Sequence, residues 1–158
     1  MKWATSCRHC HFYIDIIWVV YVHTIDDKVI FVGDNVRLPK SYHRFIGLIE
    51  KLYVEKKIEQ DGKKLLEIKD MTFGELVDKI GAKKVIGFSI KGQTISYDKI
   101  AADVGRDSCI VVGGFSKGHF SDKILKKIDN LVSVDKNPLE SHVVISRLLY
   151  ECEKRIIM

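Results

Sequence analysis

Three observations predict an α/β fold in which a largely parallel sheet is flanked by helices. Short apolar, β-branched runs alternate with amphipathic stretches along most of the chain, as strands and helices do in such folds. Residues that favour helix caps stand at the ends of the amphipathic stretches. The chain has 158 residues and is 46% hydrophobic, which is enough for one domain with a sizeable core.

The first predicted elements are a strand hairpin and a helix. Residues 16–24 are apolar and β-branched, Asp26-Asp27 is typical of a turn, and residues 28–32 predict the returning strand. After a loop, Ser41 stands where an N-cap is expected. The helical spacing of the apolar residues behind it predicts a helix over residues 42–56.

Capping residues define a second helix in the middle of the chain. A short strand is predicted over residues 65–68. Thr72 and Glu75 then have the spacing of a capping box, in which each side chain binds the other residue's backbone amide. Gly81 is the glycine expected at the end of this helix.

From residue 84 onward the predicted strands and helices alternate. Residues 84–90 predict a strand, residues 91–93 a turn, and residues 97–104 a short helix. Apolar strands are predicted over 109–112 and 131–134. This alternation is the main reason for expecting a parallel sheet.

A cluster of glycines follows the predicted strand over residues 109–112. Gly113 and Gly114 are adjacent, and Gly118 follows four residues later. Glycines let the backbone approach a ligand closely, and α/β sheets bind ligands at the carboxyl ends of their strands. The pattern is not that of a phosphate-binding P-loop. On generic grounds, a tight strand-to-loop turn is the more common meaning of such a pattern.

A second candidate site lies between the last predicted strand and the last predicted helix. Asn137 has the character of an N-cap, and Pro138 fits the first position of a helix. Free amides at such a helix start would hold a polar or anionic group. An ordinary strand-to-helix connection is the alternative interpretation.

Basic residues cluster before and within the first predicted helix. Lys40 and Arg44 are four residues apart and share a helical face, and Arg37 precedes them on a proline-containing loop. Cations are unfavourable at a helix N-terminus, so their presence indicates an anionic partner such as RNA phosphate. The net charge of +5 is compatible with RNA but does not require it. A solvated basic face is the alternative.

The cysteines and apolar runs bear on the cellular compartment. Four cysteines in this arrangement do not form the framework of a secreted disulfide-rich protein, so we expect a cytoplasmic protein. The apolar run over residues 14–22 is interrupted by Asp15 and is too short to span a bilayer. We therefore expect no membrane association.

Near the N-terminus, Cys7, Cys10 and His11 fit the CxxCH pattern of covalent haem attachment. No second Cys/His pair lies at zinc-site spacing, so no metal ligand is predicted. A chance occurrence is the simpler interpretation of so short a pattern. Cys109, on a predicted buried strand, is interpreted as a core residue.

Taken together, the motifs resemble one known family. From about Tyr21 to Arg155, the chain is similar to the archaeal and eukaryotic ribosome-biogenesis methyltransferases that modify N1 of a pseudouridine in small-subunit rRNA, members of the SPOUT (α/β-knot) superfamily. The pieces that carry this resemblance, in order along the chain, are residues 21–24, 37–40, 44–48, 113–115 with Gly118, Ser133 and 138–139.

The resemblance implies a homodimer with a C-terminal trefoil knot, and S-adenosyl-L-methionine as cofactor. Backbone groups and apolar side chains of two loops would enclose that methyl donor. The cofactor-binding residues implied are Gly113, Gly114, Gly118, Val132, Val134, Lys136, Asn137, Pro138 and Leu139. Arg37, Lys40 and Arg44 are implied as rRNA contacts, and Lys40 holds a place where the family often has arginine.

The N-terminal segment does not follow the family. Members carry an Arg-Pro-Asp motif upstream that helps to position the target base, and this sequence has no such motif. We therefore divide the chain into an unmatched segment, residues 1–18, and a SPOUT-like methyltransferase domain, residues 19–158, and assign no catalytic residue. A truncated or misread gene start, or true divergence, would produce this pattern. The alternative function is a catalytically impaired RNA-binding ribosome-assembly factor that retains the cofactor pocket.

Overall fold

The computed structural model describes residues 2–7, 18–34, 36–60, 62–114 and 119–157 of the chain. Within these residues, one sheet of eight strands is flanked by five helices. The strands are β1 (Lys2–Cys7), β2 (Trp18–His23), β3 (Lys28–Val32), β4 (Lys57–Gln60), β5 (Lys63–Asp70), β6 (Lys84–Thr94), β7 (Ser108–Gly113) and β8 (Asn130–Ser133). The helices are α1 (Tyr42–Glu55), α2 (Phe73–Ile80), α3 (Tyr97–Asp103), α4 (Asp122–Leu125) and α5 (Ser141–Ile157).

The sheet is mixed, with the strand order β4-β5-β3-β2-β1-β7-β6-β8. β6 pairs in parallel with both β7 and β8, whereas the other described strand pairs are antiparallel. The α/β class is confirmed, but the prediction of a largely parallel sheet is wrong for the N-terminal half. Short connections such as the turn after β2 join neighbouring strands as hairpins, which are necessarily antiparallel.

Most elements with a strong local pattern form where they are predicted. The strand over 28–32 is β3, and the helix predicted over 42–56 is α1. The capping box of α2 is present, because the Thr72 side chain accepts from the Glu75 amide and the Glu75 carboxylate accepts from the Thr72 amide. Gly81 ends α2 with a positive φ of 65°. The sequence pattern predicts neither β1 nor β4 nor α4.

The predicted turn at residues 91–93 is wrong, because β6 continues to Thr94. The strand is irregular there, since both Phe88 and Gln93 align with Val132 of β8. A Cβ added to Gly92 would lie 2.5 Å from backbone N and C atoms of Val132. Only a glycine allows the two strands to approach so closely at this position.

The last helix also begins later than predicted. α5 begins at Ser141, so Asn137 is not its N-cap and Pro138 is not its first residue. The Asp135 carboxylate instead accepts a hydrogen bond from the backbone amide of Asn137 (2.8 Å), which holds the segment in a bent, non-helical path. Ser141 then donates its hydroxyl to the carbonyl oxygen of Gly113 (2.6 Å).

The core lies on both faces of the sheet. Successive residues of β2 point to opposite faces, so that Tyr21 packs in the cluster with α2 and α4, and Val22 packs in the cluster with α1. A third cluster packs α3 and α5 against β6, β7 and β8. Cys109 is fully buried in the first of these clusters, which confirms that it is a core residue.

Candidate cofactor cavity and basic surface

A cavity of about 330 Å³ lies where the three parallel strands end. The carboxyl ends of β7 and β8 line it, together with the part of β6 where the regular parallel pairing ends at Phe88, as expected for ligand sites of α/β sheets. Its volume is in the range of small-molecule pockets. The strand residues that line it are Phe88, Ser89, Ile90, Val112, Gly113, Val132 and Ser133.

The remaining described wall comes from the segment after β8, from a short stretch before α4, and from α5. These residues are Val134, Asp135, Asn137, Pro138 and Leu139, then His119 and Phe120, and finally Val144. Most of the lining side chains are apolar, with a few polar groups among them, which is typical of a site for a small molecule.

The structure brings together most of the residues predicted to bind a cofactor. Six line the cavity: Gly113, Val132, Val134, Asn137, Pro138 and Leu139. Lys136 is exposed and is not part of the described lining. Gly114 directly follows Gly113 and is half-buried, but it is also absent from the described lining, and Gly118 lies outside the described residues.

Sequence reasoning missed the contribution of β6. Phe88, Ser89 and Ile90 line the cavity because β6 is the central strand of the parallel group, with β7 on one side and β8 on the other. The sequence predicts a strand that ends at Ile90, so the rule that ligands bind at strand ends was sufficient to include these residues, although β6 itself continues to Thr94. His119 and Phe120 carried no comparable signal.

Hydrogen bonds hold the loop that follows β8. The Ser133 hydroxyl donates to the carbonyl oxygen of Asp135 (2.8 Å), and the Asp135 carboxylate accepts from the Asn137 amide (2.8 Å). The bond from Ser141 to Gly113 ties the start of α5 to the end of β7. These bonds join the loop, the strand end and the helix, and so they hold the described part of the wall together.

The titratable side chains of the described lining are His119 and Asp135. Close to the cavity, burial raises the pKa of the Tyr97 hydroxyl, an effect that the nearby charge of Arg147 opposes. Burial raises the pKa of Cys109 to about 12, so this thiol stays protonated at neutral pH and does not act as a nucleophile.

The predicted RNA contacts lie on a separate, exposed stretch around the start of α1. Arg37, Lys40 and Arg44 are exposed, and none of them takes part in the ion pairs found among the described residues. The first turn of α1 has no acidic residue, and the side chain of its N-cap, Ser41, makes no capping hydrogen bond. The surface therefore offers positive charge that no described acidic side chain neutralises.

Two further sequence observations concern metals and membranes. Cys7 ends β1, but the other CxxCH residues, His9, Cys10 and His11, lie outside the described residues. Within the part of the chain that the structure describes, no three His, Cys, Asp or Glu residues gather as a metal site. The helices formed by those same residues are too short or too polar to cross a membrane.

Comparison with known proteins identifies the relatives of this chain. The family model described as "EMG1/NEP1 methyltransferase" matches residues 16–153. "Ribosomal RNA small subunit methyltransferase Nep1" of Sulfurisphaera tokodaii is 33% identical over 138 residues, which cover 87% of this chain and 61% of that protein. The protein of the same name from Saccharolobus solfataricus is 35% identical over 134 residues, covering 84% of this chain and 60% of that one.

A solved structure shares the fold. The crystal structure of Archaeoglobus fulgidus Nep1 bound to S-adenosylhomocysteine matches with a TM-score of 0.72 and 32% identity, covering 86% of this chain and 61% of that chain. The chain thus spans about three-fifths of the length of these relatives.

Proposed function

Because the chain belongs to the EMG1/NEP1 methyltransferase family, we propose that it transfers a methyl group from S-adenosylmethionine to a pseudouridine of small-subunit rRNA during ribosome biogenesis. The observation that carries this proposal is the cavity at the carboxyl ends of β6, β7 and β8. A similar structure, Nep1 of Archaeoglobus fulgidus, binds S-adenosylhomocysteine, the product that the donor leaves behind.

The lining of the cavity suits this donor. Phe88, Val132 and Leu139 provide apolar surface that would enclose the adenine ring. Backbone groups at Gly113 and polar atoms at Asn137, which also line the cavity, would orient the rest of the molecule. When bound, S-adenosylmethionine supplies an electrophilic methyl group. The chain's own residues would hold donor and target base in line, which is a large part of the catalysis of such transfers.

Filling the cavity tests the site. Leu139→Arg places a long charged side chain against the apolar wall, so we expect calorimetric binding of S-adenosylhomocysteine to be lost. Ile25→Arg is the matched control, because Ile25 is 90% exposed in the turn after β2 and does not line the cavity. Equal affinity of both variants for S-adenosylhomocysteine would place the donor elsewhere.

The basic surface around the start of α1 is proposed to bind the phosphates of rRNA. Arg37 and Arg44 can each pair with a phosphate through two N–H groups, whereas Lys40 offers a point charge. Reversal of both arginines to glutamate should weaken RNA binding and flatten its dependence on salt. An unaltered salt slope would place the RNA surface elsewhere.

Methyl transfer itself is tested with two rRNA stem-loops that differ at one position. A substrate with pseudouridine should receive labelled methyl groups from S-adenosylmethionine, and the same stem-loop with uridine should not, because uridine has no free N1–H. The Leu139→Arg variant serves as the negative control. Binding of both cofactor and RNA without any product would instead indicate an RNA-binding ribosome-assembly factor.

We further propose that the chain forms a homodimer in the cytoplasm and that its C-terminal half contains a trefoil knot. The close approach of Gly92 to the backbone of Val132 supports the knot, since a threaded chain needs segments that cross with little space between them. Sedimentation equilibrium tests the dimer, and a single species with the mass of one 18.1 kDa chain would contradict it.

A further inference from the structure

Asp135 brings a negative charge into the wall of the cofactor cavity. It is the one carboxylate among the residues described as lining the cavity, and that lining includes neither lysine nor arginine. His119 is the other titratable residue there, and histidine side chains ordinarily carry little charge at pH 8. The described part of the wall therefore favours a ligand that carries positive charge.

Local hydrogen bonds fix the position of this carboxylate. Its Oδ1 atom accepts from the backbone amide of Asn137 (2.8 Å), and the carbonyl oxygen of Asp135 accepts from the hydroxyl of Ser133 (2.8 Å). Asp135 is half-buried, and none of the ion pairs among the described residues includes it. The residue is thus held through its backbone and its side chain, while its charge has no ion-pair partner within the described structure.

The charge of Asp135 extends beyond its own hydrogen bonds. Burial raises the pKa of the Tyr97 hydroxyl, the charge of Arg147 lowers it, and the charge of Asp135 adds to the rise. A spherical cavity of about 330 Å³ would be roughly 9 Å across, which is less than the Debye length of about 10 Å at 0.1 M salt. A charge on a bound ligand therefore interacts with Asp135 under little screening by salt.

One charge distinguishes the donor of the proposed reaction from its product. S-adenosylmethionine carries a positive sulfonium, whereas S-adenosylhomocysteine, which lacks the transferred methyl group, has a neutral thioether. The adenine, the ribose and the amino-acid part are the same in both molecules. A carboxylate in the cavity wall therefore adds an attraction for the donor that the product does not share.

We propose that Asp135 makes the cavity select S-adenosylmethionine over S-adenosylhomocysteine through attraction to the sulfonium charge. This inference rests on the proposed function and adds a preference for the charged donor to it. When the methyl group passes to N1 of the base, the electron pair of the broken C–S bond stays on sulfur and N1 releases its proton. The sulfur is then neutral and the attraction is lost, which favours exchange of the product for a new donor.

Isothermal titration calorimetry of the full chain with each ligand, at pH 8 and low salt, tests the selection. Asp135→Asn removes the charge but keeps an oxygen that can accept from the Asn137 amide. We expect its affinity for S-adenosylmethionine to fall about tenfold, as for two charges several ångströms apart in a partly solvated site, and its affinity for S-adenosylhomocysteine to change less than about twofold. Asp135→Ser, a second neutral variant whose hydroxyl can also accept, should show the same change.

Glu50→Gln is the matched control, because it removes a carboxylate on an exposed position of α1, which packs against the other part of the sheet. It should change neither affinity. If both neutral variants of Asp135 lose affinity for the two ligands equally, or for neither, the selection is wrong, although the donor cavity stands. If the wild type binds neither ligand, the proposed function fails and the selection fails with it.

Discussion

The sharpest test of the fold is the substitution Gly92→Ala, which adds one methyl group where β6 meets β8. The added Cβ would lie 2.5 Å from backbone N and C atoms of Val132 and 2.6 Å from the backbone C of Leu131. Ordinary contacts of a Cβ begin at 3.4 Å, so the methyl group is about 0.9 Å too close to atoms that cannot rotate away. The clash can be relieved only by separating the two strands.

The expected cost follows from this geometry. Overpacking in a well-packed region costs about 1–3 kcal/mol when side chains can adjust, and here the opposing atoms are backbone. The strands are also paired at this point, since Thr94 aligns with Ser133 and the Ile95 amide donates to the Ser133 carbonyl. We therefore expect a loss of about 3 kcal/mol in unfolding free energy, and a melting temperature roughly 10 °C lower for a chain of this size.

Urea denaturation at a fixed protomer concentration measures this loss, with Gly47→Ala as the matched control. Gly47 lies on the exposed side of α1, and an added Cβ there meets nothing within 4 Å. Alanine should stabilise that helix by about 0.5–1 kcal/mol. Val132 lines the cavity, so Gly92→Ala should also weaken binding of S-adenosylhomocysteine. An unfolding midpoint for Gly92→Ala equal to that of the wild type would refute the close approach of β6 to β8.

Three further predictions concern stability and reactivity. Hydrogen bonds from Lys64 and Lys69 lower the pKa of Glu67 from 4.5 to about 2. The stability that the ionised Glu67 carboxylate adds to the folded chain is therefore complete above pH 4.5 and is lost as the pH falls toward 2. After allowance for solvent screening, Glu67→Gln should remove about 1 kcal/mol of this acid-dependent stability, measured by urea titrations between pH 5 and 2. If the unfolding free energies of the wild type and of Glu67→Gln changed in parallel with pH, the prediction would be contradicted. Thr72→Ala, which removes one half of the capping box, should lower the urea-derived unfolding free energy by about 1 kcal/mol, whereas an unchanged midpoint would exclude the capping role. Cys109, with its pKa raised by burial to about 12, should resist alkylation at pH 8 until urea unfolds the chain, and peptide mass spectrometry that finds it modified in the folded protein would contradict its burial.

Elements with a complete local signal were predictable from the sequence. The capping box of α2 needs only Thr72, Glu75 and Gly81, and all of them act through backbone groups within one helix. β3 is flanked by a turn signal and has an apolar run of the right length. In both cases, the interactions that decide the element lie within a few residues of it, so a single stretch of sequence contains the needed information.

Elements that depend on distant partners were not predictable in the same way. β4 has mostly charged and polar residues, and only Ile58 is buried, so its strand character comes from pairing with β5 rather than from its own pattern. The central place of β1, between β2 and β7, had no periodic signal either. The irregular path of β6 over Gly92 depends on the backbone of β8, which lies about 40 residues further along the chain.

The start of α5 shows how tertiary contacts override a local pattern at the cavity. Asn137 and Pro138 match the preferred start of a helix, but here the Asn137 amide binds the Asp135 carboxylate, and both Asn137 and Pro138 line the cavity in a non-helical segment. The helix begins only at Ser141, where the side chain reaches the carbonyl of Gly113. An earlier helix start would draw these residues into its first turn and remove them from the cavity wall. The unused capping pattern therefore leaves Asn137 and Pro138 in the cavity wall, where the proposed methyl donor would contact them.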